Sequence, residues 1–191
     1  VRVLIMLCPV YPIRTARLLL RPFTRADVDD VWAYQRRPEV ARYMSWEPRT
    51  LAQTEAAVAQ MAREDRLAGE GDCLSLAVVR ADDDRVVGQV ELVWHSVASR
   101  QGEVGYVFNP DDHGHGLATE AAREMLRLGF EGLGLHRIVG RCHAENRASA
   151  RLLERLGMRK EAHLVDNELV KGAWRSQLVY AVLAPEWRLR S

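Results

Sequence analysis

A chain that sets His113, Gly114, His115 and Gly116 directly before Leu117, Ala118, Thr119, Glu120, Ala121 and Ala122 has few ways to fold around that point. Residues 103–108 ahead of it are β-rich, while the residues after it carry apolar groups at helical spacing, so the glycines mark a strand-to-helix corner. Gly114 and Gly116 have no Cβ, which lets the backbone curl until its N–H groups converge. The first N–H groups of the helix lack intrahelical partners and carry the positive end of its dipole. Such a corner is a site for an anion, and the expected ligand is a pyrophosphate.

With 191 residues, 48% of them hydrophobic, the chain can bury one substantial core. We expect a single domain over 14–191 behind an N-terminal extension over 1–13. Lys and Arg number 27 against 26 Asp and Glu, too even a balance for the basic field that nucleic-acid binding requires. Nucleic acid is therefore not an expected partner. Cys8, Cys73 and Cys142 are odd in number, far apart and in no C-x-x-C pair. That pattern fits reduced thiols in a cytoplasm and argues against a disulfide framework or a thiolate metal site. The apolar opening from Val3 to Cys8 stops at Pro9, short of the roughly 20 apolar residues a membrane span needs, and has no small-residue cleavage site. No membrane association or secretion is expected, and Met6 is an alternative start.

Residues 17–23 read as an opening strand, and Thr24 with Asp27 reads as a cap and acidic first turn for a helix to about Arg36. Thr50 and Gln53 fit a capping box for a second helix, expected to stop at Gly69 and Gly71. Three β-rich runs, 74–79, 86–94 and 103–108, are spaced for an antiparallel meander. Ala118, Ala121, Ala122, Met125, Leu126 and Gly129 make one apolar face of the helix after the glycine corner. A strand over 136–142 follows, then a helix capped by Asn146 with Ala150, Leu153 and Leu156 inward, then strands near 158–165 and 174–183. Of the tryptophans, Trp32, Trp94 and Trp174 read as core fillers. The whole describes an α/β (α+β) domain with a mixed, largely antiparallel sheet.

The corner is not a dinucleotide fingerprint, because position 119 is Thr and no βαβ unit opens the chain, and no Gly-Lys-Ser or Gly-Lys-Thr supplies a P-loop. Asp111, Asp112, His113 and His115 lie on a loop without the framework of a zinc site, so no metal is expected.

The strand over 103–108, the corner running Gly114, Gly116, Ala118, Thr119, Glu120, Ala121, and the later segment Asn146, Ser149, Leu152, Leu153, Glu154, Leu156, Gly157, Met158 together resemble the GNAT superfamily of acetyl-CoA-dependent N-acetyltransferases. With Arg14 to Pro22 near the start, they resemble the branch of ribosomal-protein N-terminal acetyltransferases. The resemblance implies helices on both sheet faces and a V-shaped splay between the two central strands, opening a slot for pantetheine. It implies a donor loop at His113, Gly114, His115, Gly116, Leu117 and Ala118, with His113 standing where the family usually has Arg or Gln. It places Phe108, Asn109, Thr119 and Asn146 beside the cofactor, and Arg151, with Arg123 and Arg147, near its 3′-phosphate; Asn146 equally fits a plain helix cap.

The implied chemistry is direct attack of a neutral amine on the thioester, with no covalent enzyme intermediate and with a strand N–H near Phe108 supporting the oxyanion. An α-amino group, with a pKa of about 7.7 to 8.0, needs only a weak base. Glu103 is the expected base, with Glu91 on the preceding strand as its competitor and as an acceptor-binding group. The family's Tyr acid falls on Leu153, so Ser149 is the expected proton donor to the leaving sulfur. Trp46 is placed at the acceptor site. The expected acceptor is a protein or peptide N-terminus; a small amine such as an aminoglycoside or polyamine, and a non-catalytic acyl-CoA sensor, are the alternatives. Homodimers occur among relatives, and one is allowed here.

Overall fold

Strand-forming and helix-forming periods alternate along the chain, and the computed structural model, which describes residues 6–189, turns each into an element that buries one face. β1 (Ile13–Arg14) and β2 (Leu18–Arg21) open the sheet, and β2 turns Leu18 and Leu20 fully inward. A 3₁₀ turn over Arg25–Asp27 leads into α1 (Val28–Gln35), followed by α2 (Pro38–Ala41) and α3 (Leu51–Met61). Thr50 Oγ1 accepts from the Gln53 amide and Gln53 Oε1 from the Thr50 amide, the expected capping box. The meander β3 (Cys73–Arg80), β4 (Val86–Ser96) and β5 (Gln101–Phe108) comes next. The corner then starts α4 (Leu117–Arg127), which ends in a π turn over Leu128–Gly132. β6 (Arg137–His143), α5 (Arg147–Arg155), β7 (Arg159–Val170), β8 (Ala173–Leu183) and α6 (Ala184–Arg188) complete the chain.

The eight strands form one sheet in the order β1-β2-β3-β4-β5-β6-β8-β7, antiparallel throughout except between β5 and β6. Helices cover both faces. On one, α4 and α5 bury Ala121, Ala122, Met125, Leu126, Leu152 and Leu153 against Leu76, Val90, Leu92 and Ile138. On the other, α1 and α3 bury Val31, Tyr34, Val58 and Met61 against Ala77, Val79 and Val86. Each buried aliphatic side chain contributes about 1.5 to 3 kcal/mol, so these two layers clamp the sheet between them.

Three expectations need correction. The second helix stops at Met61, not at Gly69, because the following segment is pulled back onto the sheet: Ser75 N donates to Glu64 O at 2.8 Å, and Leu67 pairs with Leu7. Ala150 is only partly buried, and Leu152 takes its inward place on α5. Trp174 is no core filler, since it stands 61% exposed on β8. Of the extension expected over 1–13, residues 1–5 lie outside the described residues, and Leu7 packs into the main core. Among the described residues no helix is long and apolar enough to cross a membrane. The three cysteines are free.

Candidate active site

The parallel seam is short. β5 and β6 pair only at Gln101 with Arg137, Gly102 with Ile138 and Glu103 with Val139. Beyond that β5 stays with β4 as far as Phe108, while β6 stays with β8 as far as His143, so the two strands part. This is the V-shaped splay. Because side chains alternate along a strand, Val104, Tyr106 and Phe108 face the α4–α5 side, while Glu103, Gly105 and Val107 face the α1–α3 side. The opening therefore joins the two faces of the sheet.

On the α5 side, Asn146 caps the helix by accepting from the Ser149 amide at 3.1 Å. Ser149 Oγ lies 2.8 Å from the Tyr106 hydroxyl, which also reaches Ser149 O at 3.2 Å. α5 can approach this closely because Gly140 has no side chain: a Cβ there would sit 2.5 Å from Leu153 Cδ2. Burial, more than Ser149, governs the Tyr106 phenol and pushes its pKa up, so it stays protonated.

The glycine corner adopts the geometry expected of an anion site. Gly114 and Gly116 have φ of +85° and +77°, a left-handed region that L side chains rarely enter. Gly116 stands at the cap of α4, so the amides of residues 117–119 point outward without helical acceptors. Glu120 in the first turn ties this corner to the chain before β2. It accepts from Thr15 Oγ1 at 2.6 Å and from the Arg17 amide at 2.8 Å, and it pairs with the Arg17 guanidinium at 2.7 Å. Arg17 also donates to His115 O. Beside the corner lies a cavity of about 530 Å³ lined by Gly116 and Thr119 and by three arginines, Arg14, Arg123 and Arg155, with Glu120 and Glu124. These residues fit a pyrophosphate-bearing ligand.

On the α1–α3 side a cleft of about 770 Å³ runs into the splay. Trp46, Glu91, Glu103, Tyr106, Asn146 and Ser149 all line it. Glu103 is held by His95 Nε2 at 2.8 Å and by the Arg141 guanidinium. Glu91 stands opposite Gly105, and its Oε2 lies 3.4 Å from where a Cβ of residue 105 would be. Burial raises the Glu91 pKa, against the lowering effect of hydrogen bonds from Gln89 and Ser75.

Residues 17–159 match the family model described as an acetyltransferase (GNAT) domain. The chain belongs to the GNAT family of acetyltransferases. It is 31% identical over 176 residues to the uncharacterized N-acetyltransferase YnaD of Bacillus subtilis, spanning 92% of this chain and 98% of that one. Over 84 residues, 44% of this chain and 43% of the other, it is 33% identical to the [ribosomal protein uS5]-alanine N-acetyltransferase of Escherichia coli. A GNAT acetyltransferase from Bacillus anthracis superposes with a TM-score of 0.79 at 29% identity, covering 91% of this chain and 98% of its own. The spermidine N-acetyltransferase of Vibrio cholerae, solved with CoA and spermine, shares the fold at a TM-score of 0.75 and 22% identity, over 91% of this chain and 99% of its own.

Within this GNAT domain the expected site residues do not all come together. Trp46, Glu91, Glu103, Asn146 and Ser149 meet in the main cleft, and Gly116 and Thr119 line the second cavity. His113, Gly114 and His115 form the exposed outer rim of the corner, Leu117 is buried beneath it and Ala118 packs against the core. Phe108 is buried under Gly88, and Asn109, also buried, spends its side-chain oxygen on the Asp111 amide and Arg37. Arg151 is exposed on α5 and lines neither cavity. Among the described residues no cluster of three or more His, Cys, Asp or Glu is placed to hold a metal.

The sequence reading passed over two cleft residues. Tyr106 was legible as the residue that the period of two puts on the Ser149 side of β5. Arg49 was not, because nothing local distinguishes it from the other arginines before a helix cap.

Proposed function

We propose that this GNAT enzyme transfers the acetyl group of acetyl-CoA to the α-amino group of a protein or peptide, by direct attack in a ternary complex. The thioester supplies an activated acyl group; the chain supplies position, charge and proton transfer. The corner amides and the arginines around the second cavity take the pyrophosphate and 3′-phosphate, and the acyl end passes through the splay. The acceptor enters from the α1–α3 side.

Both carboxylates expected there have work, and their surroundings divide it. Glu103, held in place by Arg141 and His95, steers the incoming amine toward the splay. Glu91, whose burial raises its proton affinity, takes the proton directly or through water. Ser149 returns a proton to the leaving sulfur, with Tyr106 behind it as the reserve donor. Beyond Glu103, the edge of β5 that faces β6 has no partner strand, and an N–H there near Phe108 supports the oxyanion.

The observation that carries the choice of acceptor is the mixed charge of the cleft. Arg42, Arg49, Arg141, Lys171 and Arg175 line it together with Glu64, Glu91, Glu103 and Glu168. A polyamine is cationic along its whole length and is repelled by such a wall; a peptide brings one ammonium followed by neutral amides. The test is acetyl-CoA-dependent thiol release against peptides of varied N-terminus and against spermidine. Peptides should give the higher kcat/KM, and a higher value for spermidine would overturn the assignment.

A further inference from the structure

Arg49 is fixed at both ends. Its backbone amide donates to Gln35 O at 3.1 Å, and its carbonyl accepts from Trp32 Nε1 at 3.2 Å. Its guanidinium lies 4.6 Å over the Trp46 ring and donates to Gln35 Oε1 at 2.8 Å. Three of the other four cations of the cleft have carboxylate partners: Arg141 has Glu103, Lys171 has Glu47 at 3.4 Å and Arg42 has Glu145 at 3.9 Å. Among the described residues no carboxylate oxygen lies within 4.0 Å of Arg49. Burial pulls its pKa down, and Tyr34 and Glu91 only partly offset that loss.

What separates Arg49 from Glu91 is a chain of buried amides. Gln35 Nε2 donates to Gln89 Oε1 at 3.1 Å, and Gln89 Nε2 donates to Glu91 Oε1 at 2.9 Å. The fully buried Tyr34 hydroxyl, 3.2 Å from Gln89 Oε1, braces the middle. With a pure donor at one end and a carboxylate at the other, each amide must turn its oxygen toward Arg49 and its nitrogen toward Glu91. The two opposite charges are thus held apart and cannot collapse into an ion pair. Both remain available to the cleft that they line.

We propose that Arg49, braced by Trp46 and Gln35, binds a carboxylate of the acceptor, so that the acceptor class is an amine carrying a carboxylate a short distance from its amino group. The proposal rests on the amine-acetylation reading above and narrows it. Three hydrogen bonds of about 3 Å and two amide widths set an upper limit of roughly 13 Å between the charges. An extended peptide covers about 3.3 to 3.6 Å per residue, so the matching peptide has Asp or Glu within its first three or four positions. A small amine with its own carboxylate offers the same chemistry.

The test compares kcat/KM for acetyl transfer to three acceptors: a peptide with Glu at its second position, the same peptide with Gln there, and free glutamate. The wild-type protein should prefer the Glu peptide by roughly ten- to hundredfold, mainly in KM, as expected for a hydrogen bond to a charged group. Arg49→Gln should bring that ratio close to one, and Arg49→Lys should keep part of it. A free-glutamate rate above both peptides, lost in Arg49→Gln, keeps the role of Arg49 and makes the source a small molecule. Transfer to all acceptors with equal efficiency, or a Glu-over-Gln preference unchanged in Arg49→Gln, overturns this inference alone. Absence of thiol release with every amine overturns it together with the acetylation reading.

Discussion

Gly140→Ala tests whether α5 is placed by close packing on β6. The new Cβ would meet Leu153 Cδ2 at 2.5 Å and Cδ1 at 3.4 Å, whereas carbon atoms rest at about 3.5 to 4.0 Å. The helix must therefore retreat by roughly 1 Å, or Leu153 must leave its rotamer, and either costs about 1 to 3 kcal/mol. Reduced freedom of the unfolded chain returns about 0.4 to 1 kcal/mol, and the middle of the two ranges leaves a net loss of about 1 kcal/mol. For 191 residues the unfolding entropy is about 0.4 kcal/mol/K, so Tm should fall by about 2 to 3 °C. Because Asn146 and Ser149 travel with the helix, kcat should fall alongside. The assay is thermal unfolding of Gly140→Ala, Leu153→Ala and the double variant, with thiol release for each. The double variant should be more stable than the sum of the singles, since the new methyl enters the space Leu153 leaves. An unchanged Tm for Gly140→Ala, or strict additivity in the double variant, would refute the packing argument.

In the donor loop, Gly116→Val should nearly abolish CoA binding measured by calorimetry, because a β-branched residue at φ +77° distorts the corner, while exposed His113→Ala should weaken it only modestly; the reverse order would remove the backbone-anion account. Burial opposes the charge of Asp27, yet the Arg21 guanidinium and the Thr24 amide hold its carboxyl below the usual range. Its contribution is therefore full above its unfolded pKa of about 3.9 and is lost as pH falls through the lower folded value. Asp27→Asn should cost about 3 kcal/mol at pH 7 in urea titrations and flatten the acid limb of stability; an unchanged limb would show that the pair does not matter. Thiol labelling at pH 7 should mark exposed Cys8 and spare Cys73, whose thiol is pushed up to about 12 mainly by burial. Rapid modification of Cys73 in the folded protein would contradict the burial that also governs Glu91.

What could be read from sequence was whatever depends on neighbours along the chain. The capping box at Thr50 and Gln53, the left-handed glycines at 114 and 116 and the cap at Asn146 are decided within a few residues, and each appears as expected. What could not be read depends on partners far away. α3 ends early because Glu64 and Leu67 bond to β3 and to Leu7, and β7 runs on to Val170 although most of it is exposed and carries no burial alternation. The amide chain from Arg49 to Glu91 joins a loop, α1 and β4, so no local pattern announces it.

The three-residue seam between β5 and β6 divides the sheet into two panels, β1 to β5 on one side and β6, β8 and β7 on the other. Past the seam, no backbone rung among the described residues ties one panel to the other. A molecule lying in the split touches both, so its binding energy acts across the crack and serves as the missing rungs. Holding the donor and holding the panels together become one quantity seen from two directions. At one hundred times its dissociation constant, a donor would add about 2.7 kcal/mol to that cohesion. The enzyme would then be stiffest when it is loaded, and most easily parted along the crack once its product has left.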